Sequence, residues 1–432
     1  MRRRAGGRRG SLPLEKVSAT SWPEIGLEVA ELCGNGWEPL PFLEFIVKVH
    51  SRCNLACAYC YMYEMTDQSW RGQPMMMAEQ VFDEVCRTIA GHVSRHQVPG
   101  VRLVFHGGEP LLVGDTALGW YARRAREVLE PVTEVRLGMQ TNGVLLDEPI
   151  LAVCDRWDIR VAVSVDGDRN GHDRHRTYRR GAGSYDHVVQ GISLLSEPHF
   201  THLFSGLLCT IDIANDPIAT YEALIGFDPP AVDFLLPHGN WTTPPPCKGE
   251  HPAATPYADW LLPIFDRWYG APTLQTRVRL FSDVMALSLG GDRSSEALGL
   301  APVQLAVFET DGALEQVDEL KSAFAGATRL RAVVGTANRL DAAMTDPAIV
   351  ARQIGLAALS DSCLACPVHR VCGGGHYVHR YRDGSGFRNP SVYCADLLKL
   401  ISHIQARIHP DITTALRPQP QESNSQNRKI GH

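Results

Sequence analysis

Ser51-Arg52-Cys53-Asn54-Leu55-Ala56-Cys57-Ala58-Tyr59-Cys60-Tyr61 is the stretch on which the rest of the chain turns. Its C-x3-C-x2-C spacing lets one short loop wrap three corners of an iron–sulfur cube. A [4Fe–4S] cube ordinarily takes four thiolates. Three leave one iron open to a small molecule, which points to chemistry more than to electron storage. The run just before it, residues 42–49, is rich in β-branched and aromatic side chains and reads as a buried strand. Outward from there, apolar runs alternate with helical patterns as far as about residue 240. Strands are expected over 42–49, 101–105, 134–139, 159–165, 203–211 and 232–236. In 78–96, Val81, Phe82, Val85, Ile89 and Val93 make one apolar helical face. A second helix fits 115–130, with Asp115 as its cap. Such alternation gives parallel strands joined by right-handed crossovers. Six units make an α/β fold, an open and partial barrel, with its site at the carboxyl ends of the strands.

The bulk numbers suit a soluble globular protein. At 432 residues the chain has room for two or three domains. Hydrophobic content of 44% with 21% charge is ordinary for a globular protein. A net charge of −6 argues against nucleic acid as a partner. The five arginines in residues 1–9 read as a local, disordered basic tail. No apolar run approaches the ~18 residues of a membrane span, and no apolar segment follows the paired arginines. The expected location is the cytoplasm. Of twelve cysteines, seven fall into two groups, 53/57/60 and 363/366/372/394. Clustered thiols in a reducing compartment mean metal. The scattered ones, Cys33, Cys86, Cys154, Cys209 and Cys247, read as small buried hydrophobes.

Short polar motifs follow the expected strands in order. His106-Gly107-Gly108-Glu109-Pro110 comes after the second, and two glycines there allow close backbone approach. Gln140-Thr141-Asn142-Gly143 follows the third and Ser164-Val165-Asp166-Gly167 the fourth, with Arg176 downstream. Each alone reads most simply as a turn. Together, behind a three-cysteine loop with Tyr59 ahead of its last cysteine, they resemble the radical S-adenosylmethionine (SAM) superfamily over residues 42–240. The resemblance implies a partial (β/α)6 TIM-like barrel whose catalytic [4Fe–4S] cluster is held by Cys53, Cys57 and Cys60. It implies a SAM site in which Glu109 accepts from the methionine ammonium, Ser164 and Asp166 bond the ribose, and Arg176 clamps the carboxylate. The cluster would cleave SAM to a 5′-deoxyadenosyl radical that takes a hydrogen atom from the substrate.

The second group runs Cys363-Leu364-Ala365-Cys366 through Cys372-Gly373-Gly374-Gly375-His376 to Cys394. On spacing alone it suits a cluster or a zinc. In context it resembles the SPASM extension of radical SAM enzymes, which normally carries seven cysteines and two auxiliary clusters. Here the chain departs: His376 stands where the family has another cysteine, and Gly312-Ala313-Leu314-Glu315-Gln316-Val317 lacks the cysteine of its Gly-x4-Cys. One fully ligated auxiliary [4Fe–4S] cluster is therefore expected, on Cys363, Cys366, Cys372 and Cys394, with His376 packing beside it. The expected organisation is a tail and lead-in over 1–40, the barrel over 41–240, a linker or site-covering segment over 241–300 with a helix at 257–269, a SPASM-like region over 301–408 containing a hairpin at 306–317 turned at Asp311-Gly312 and a terminal helix at 395–408, and a disordered tail over 409–432.

Asp67-Gln68-Ser69-Trp70, Glu309-Thr310-Asp311-Gly312, Glu315-Gln316-Val317-Asp318, and Cys372-Gly373-Gly374-Gly375-His376 leading to Phe387-Arg388-Asn389-Pro390-Ser391 look like the FxsB-type peptide maturases, over about residues 35–405. That resemblance implies three-residue cyclophanes, an aromatic ring carbon joined to the β-carbon of a residue two positions on. Asp318 matches a catalytic aspartate of a related maturase and is the expected proton acceptor, with Glu315 and Glu309 behind it; the plain alternative is a solvated carboxylate at the end of a hairpin. His376, His379, Arg380 and Arg382 read as a solvated basic face. The expected partners are a ribosomally made precursor peptide, recognised by a separate protein or by the barrel and SPASM surfaces in place of an N-terminal leader domain, and an external electron donor such as flavodoxin or ferredoxin, with no nucleic acid and no membrane. Competing outcomes are thioether formation, epimerisation or sulfatase maturation, and outside enzymes a zinc-stabilised binding protein.

Overall fold

A computed structural model describes residues 21–291, 296–331 and 338–415. Nine strands form one sheet: β1 (Glu44–His50), β2 (Gly100–Gly107), β3 (Glu134–Thr141), β4 (Ile159–Ser164), β5 (Phe204–Thr210), β6 (Ala231–Leu235), β7 (Arg277–Val278), β8 (Leu305–Phe308) and β9 (Leu314–Glu315). Their order is β7-β6-β5-β4-β3-β2-β1-β8-β9. Every pairing is parallel except β8 with β9. The six expected strands all form, within two residues of their expected ends. Parallel strands covered by helices are buried on both faces, so they read as continuous apolar runs. Phe45, Val47 and Val49 in β1 and Val161 and Val163 in β4 are fully enclosed.

The first covering helix, Glu79–His96, buries Phe82, Val85, Cys86, Ile89 and Val93. The second, Gly114–Leu129, runs on directly from the turn Pro110–Val113. Asp115 therefore lies inside its first turn and does not cap it; Val113 holds the cap position and offers no side-chain bond. There the Asp115 charge still favours the helix N-terminus.

Three expectations change at the edges of the barrel. The hairpin turns as expected, with Gly312 at φ +81° and its N–H on Glu309 O at 2.8 Å. Its first strand, however, pairs with β1 and extends the barrel sheet, so the hairpin is not confined to a separate C-terminal region. The segment after β6 is a packed strap rather than a free linker. Asn240 donates to Ser322 O, Trp241 Nε1 to Pro390 O at 2.7 Å, and buried Lys248 pairs with Asp396 at 2.7 Å. The last helix, Cys394–Ala415, also runs beyond residue 408, because it packs on the helix Pro256–Tyr269, where Tyr269 Oη bonds Asp411 at 2.6 Å. The basic stretch 1–9 and the remainder of the expected tail, 416–432, lie outside the described residues.

A second, smaller core joins Trp22, Val317, Leu320, Tyr377 and Phe387, and fastens the lead-in to the C-terminal region. Cys86, Cys154 and Cys209 are buried as expected, whereas Cys33 and Cys247 are exposed. Among the described residues, no helix is long and apolar enough to cross a membrane.

Candidate active site

The three-cysteine loop leaves the carboxyl end of β1 and is pinned from three sides. The Arg52 guanidinium donates to Ser51 Oγ at 2.7 Å and Trp70 O at 2.8 Å. Ala56 N donates to Thr177 O at 2.8 Å, and Ala58 N to His175 O at 3.2 Å. From β2, Gly108 N reaches His50 O at 2.9 Å and Glu109 N reaches Arg52 O at 3.0 Å. The glycines are required by this approach. A Cβ on Gly107 would stand 2.0 Å from His50 O, and one on Gly108 would stand 1.8 Å from Tyr63 Oη.

The donor set fits an iron–sulfur cube. Cys53 Sγ accepts from Leu55 N at 3.4 Å and Asn142 Nδ2 at 3.6 Å. Burial, with Glu109 adding, pushes the Cys53 thiol up to about 12; burial, with Cys57 adding, pushes Cys60 up to about 11. Three half-buried thiols that repel one another's charge favour the neutral form until a cation joins them. Iron supplies that cation and, once loaded with SAM, the one-electron chemistry.

Around the loop, the expected SAM residues come together at the strand ends, but several are engaged within the chain. Glu109 is 1% exposed and accepts from Leu111 N (3.0 Å), Thr141 Oγ1 (2.7 Å) and Asn142 N (2.8 Å). Its carboxylate thereby ties the turn after β2 to the end of β3. Asp166 is likewise committed: Thr210 N donates to Oδ1 at 3.0 Å, and Tyr59 donates a short hydrogen bond to Oδ2. The Tyr59 hydroxyl accepts in turn from Arg176 at 2.9 Å. Tyr59, Asp166 and Arg176 thus form one hydrogen-bonded chain that reaches the cluster loop. Gln140 Nε2 donates to Ser164 Oγ at 2.9 Å, and both side chains stay half-buried. Arg176 keeps one enclosed donor, Nε, without a partner in the chain. That orphan suits a carboxylate such as that of SAM. Pro110 opens the short turn after β2.

The second group also converges. Cys363, Cys366, Cys372 and Cys394 line one cavity with Val368, Pro390 and Leu398. Gly373, Gly374 and Gly375 all take positive φ and turn the chain back sharply. Arg380 closes that turn, its Nη2 donating to Gly373 O at 2.6 Å and Gly375 O at 2.7 Å. Burial pushes the Cys372 thiol up to about 12. Four thiols around an apolar hollow suit one fully ligated cluster.

Where further cysteines were expected to be missing, the structure has a buried ion cluster. Lys48 Nζ meets Glu309 at 2.7 Å and forms a short ion pair with Asp318. Lys321 Nζ meets Glu309 at 2.5 Å, Asp318 at 3.5 Å and Glu315 at 3.6 Å. Asp318 is thus neither solvated nor free: it is 3% exposed, and despite burial the two lysines hold its carboxyl below the usual range. Both ammonium groups stand against this carboxylate. The expected basic face is corrected too, because His379 and Arg380 are buried and only Arg382 is exposed. Lys48 was missed from the sequence, although a lone lysine in an apolar strand is a signal of buried partners.

Residues 47–216 match the Radical SAM superfamily model. A serine-type anaerobic sulfatase-maturating enzyme of Klebsiella aerogenes is 24% identical over 389 residues, 86% of this chain and 87% of that relative. One from Bacteroides thetaiotaomicron is 29% identical over 160 residues, a match spanning 37% of that relative. The solved structure of anSMEcpe with bound AdoMet and a Cp18Cys peptide superposes with a TM-score of 0.69 at 19% identity, covering 87% of this chain and 100% of that one. With the three-cysteine loop on β1 and the strand-end motifs around it, residues 47–216 form a radical SAM domain, and the chain is an enzyme using SAM and a [4Fe–4S] cluster.

Proposed function

We propose that the chain modifies a ribosomally made precursor peptide in the cytoplasm, abstracting a β-hydrogen and joining that carbon to an aromatic ring as a cyclophane. The observation that supports this most is the departure from the SPASM pattern: Val317 and His376 stand at cysteine positions, and an ion cluster fills the neighbouring space. The chemistry then proceeds with one auxiliary cluster beside the catalytic one. Cys53, Cys57 and Cys60 would hold the radical-generating cluster, Arg176, Ser164 and Gln140 would meet SAM, and Cys363, Cys366, Cys372 and Cys394 would hold the electron acceptor. Electrons for SAM cleavage would come from a flavodoxin or ferredoxin, and the leader would be bound by a separate protein.

A second reading, sulfatase-type maturation, is favoured by the relatives matched over most of their length. One experiment separates the two. The enzyme is co-expressed with the small peptide encoded beside it, and the product is read by tandem mass spectrometry. Both outcomes remove two hydrogens, but a crosslink suppresses backbone cleavage between the linked residues and stays inert to a hydrazide, whereas oxidation of a serine side chain leaves an aldehyde that the hydrazide captures. Hydrazide capture without a crosslink would overturn the cyclophane reading.

A further inference from the structure

His238, His376 and His379 form a ring cluster outside both cysteine sites. His238 lies just past the carboxyl end of β6, and the other two follow the glycine turn after Cys372. Their ring centroids stand 5.6, 5.7 and 5.1 Å apart. Both nitrogens of His379 are enclosed without a partner, and the residue is 2% exposed. His238 and His376 differ. Only Nδ1 is enclosed in each, both rings are half-buried, and no group among the described residues bonds Nε2. The Nε2 edges are therefore the polar atoms these two rings offer to open space. Tyr61, directly after Cys60, sets its ring edge-on to His238 at 4.8 Å. The pair thus bridges the wall of the catalytic loop and the turn that carries Cys372.

We propose that Nε2 of His238 and His376 takes the proton released when the peptide radical is oxidised. The inference rests on the reading of the chain as an oxidative peptide-modifying enzyme, and holds for either outcome above. The substrate C–H bond gives its hydrogen atom to the 5′-deoxyadenosyl radical, which becomes 5′-deoxyadenosine. Addition of the carbon radical to the ring leaves one electron and one proton to remove before aromaticity returns. The electron goes to an oxidised iron–sulfur cluster, and the proton to an imidazole as the ring C–H bond breaks. Burial holds His238 down to about 4 and His376 well below its ordinary value, with His379, His238, Arg352 and Arg380 adding to the latter, so both rings are neutral near pH 7 and each keeps a lone pair for the strongly acidic proton of the oxidised ring adduct. The same surroundings make the imidazolium short-lived, and the proton passes on to solvent. Asp318, wedged between two lysines, does not compete.

Accessibility is tested first, on the anaerobic holoenzyme treated with diethyl pyrocarbonate and mapped by mass spectrometry. Adducts are expected on His238 and His376, with His379 spared. Unmodified His238 and His376 would overturn the proposal whether or not any peptide is a substrate. The second arm uses His238→Gln, His376→Gln and the double variant with the co-encoded peptide that the wild type converts. The ratio of 5′-deoxyadenosine formed to peptide modified should rise at least tenfold in the double variant, with iron content unchanged as the check on folding. An unchanged ratio would overturn the proposal. A wild type that converts no peptide would instead defeat the function proposed above, and the accessibility mapping would still decide this one.

Discussion

Lys48 stands between Val47 and Val49 in β1, and it is as buried as they are. A buried ammonium persists only when paired, and here two carboxylates meet it directly. Replacing it with the similarly sized Met would leave three carboxylates with one ammonium. Lys48→Met is expected to cost about 3–5 kcal/mol in urea unfolding. The pH dependence has opposite signs at two neighbouring carboxyls. Asp318 is held below its ordinary value, so its contribution is complete above about pH 4 and is lost as pH falls through the lowered value. Glu319 is pushed up to about 8, by burial first and then by Glu296. Its favourable neutral form is complete below its ordinary value of 4.5 and is lost as pH rises towards 8. Glu319→Gln should therefore raise Tm above wild type at pH 8 and match it near pH 5. The sequence showed Asp318 as a charged residue past a hairpin, but nothing local announced Lys48 as its partner, since 270 residues of chain separate them.

The elements differ in how much of themselves they reveal. Strands β1 to β6 were legible because enclosure on both faces demands unbroken apolar runs. The Glu79–His96 helix was legible from the spacing of its apolar face. Strand β7, of two residues, carries no pattern at all, and β8 reads as half of a hairpin until β1 is seen to pair with it. The contact between β2 and the cluster loop can be tested directly. Gly108→Ala places a methyl group against Tyr63 Oη and Arg52 O, 2.5 Å away, so the loop must shift. SAM cleavage to 5′-deoxyadenosine is expected to fall at least tenfold, while the far-UV circular dichroism stays that of the native fold. At the other end, Asp396 accepts from Tyr257 N and Ala258 N and pairs with Lys248. Asp396→Ala should cost about 3–5 kcal/mol by leaving that lysine buried without its counter-charge, with only the carbonyls of Pro252 and Ala254 to accept from it, read again by urea unfolding.

At the scale of the whole molecule, seven cysteines form two sites, Cys53, Cys57 and Cys60 on the loop after β1 and Cys363, Cys366, Cys372 and Cys394 around one cavity. Cys53, Cys57 and Cys60 replaced together by Ala should abolish 5′-deoxyadenosine formation and lower iron from about eight per chain to about four, by the cube count. Cys363→Ala or Cys394→Ala should lose the auxiliary iron and the modified peptide while part of the SAM cleavage persists. If iron analysis finds zinc without sulfide in the wild type, the auxiliary site is a zinc site and the electron acceptor must lie elsewhere.

The sequence by itself determined the catalytic loop, the strand-end motifs and the second thiol group, because ligand spacing and apolar periodicity are local properties. Only the tertiary structure decided how those residues are employed. Glu109 and Asp166, expected at SAM, also brace the fold, accepting from Leu111, Thr141 and Asn142 and from Tyr59 and Thr210. Val317 and His376 marked where cysteines were absent, and folding filled that region with the Lys48 and Lys321 ion pairs and the ring of His238, His376 and His379. The reason is physical: a motif states what a residue can bond, but competition among donors and acceptors brought together from distant parts of the chain settles what it does bond.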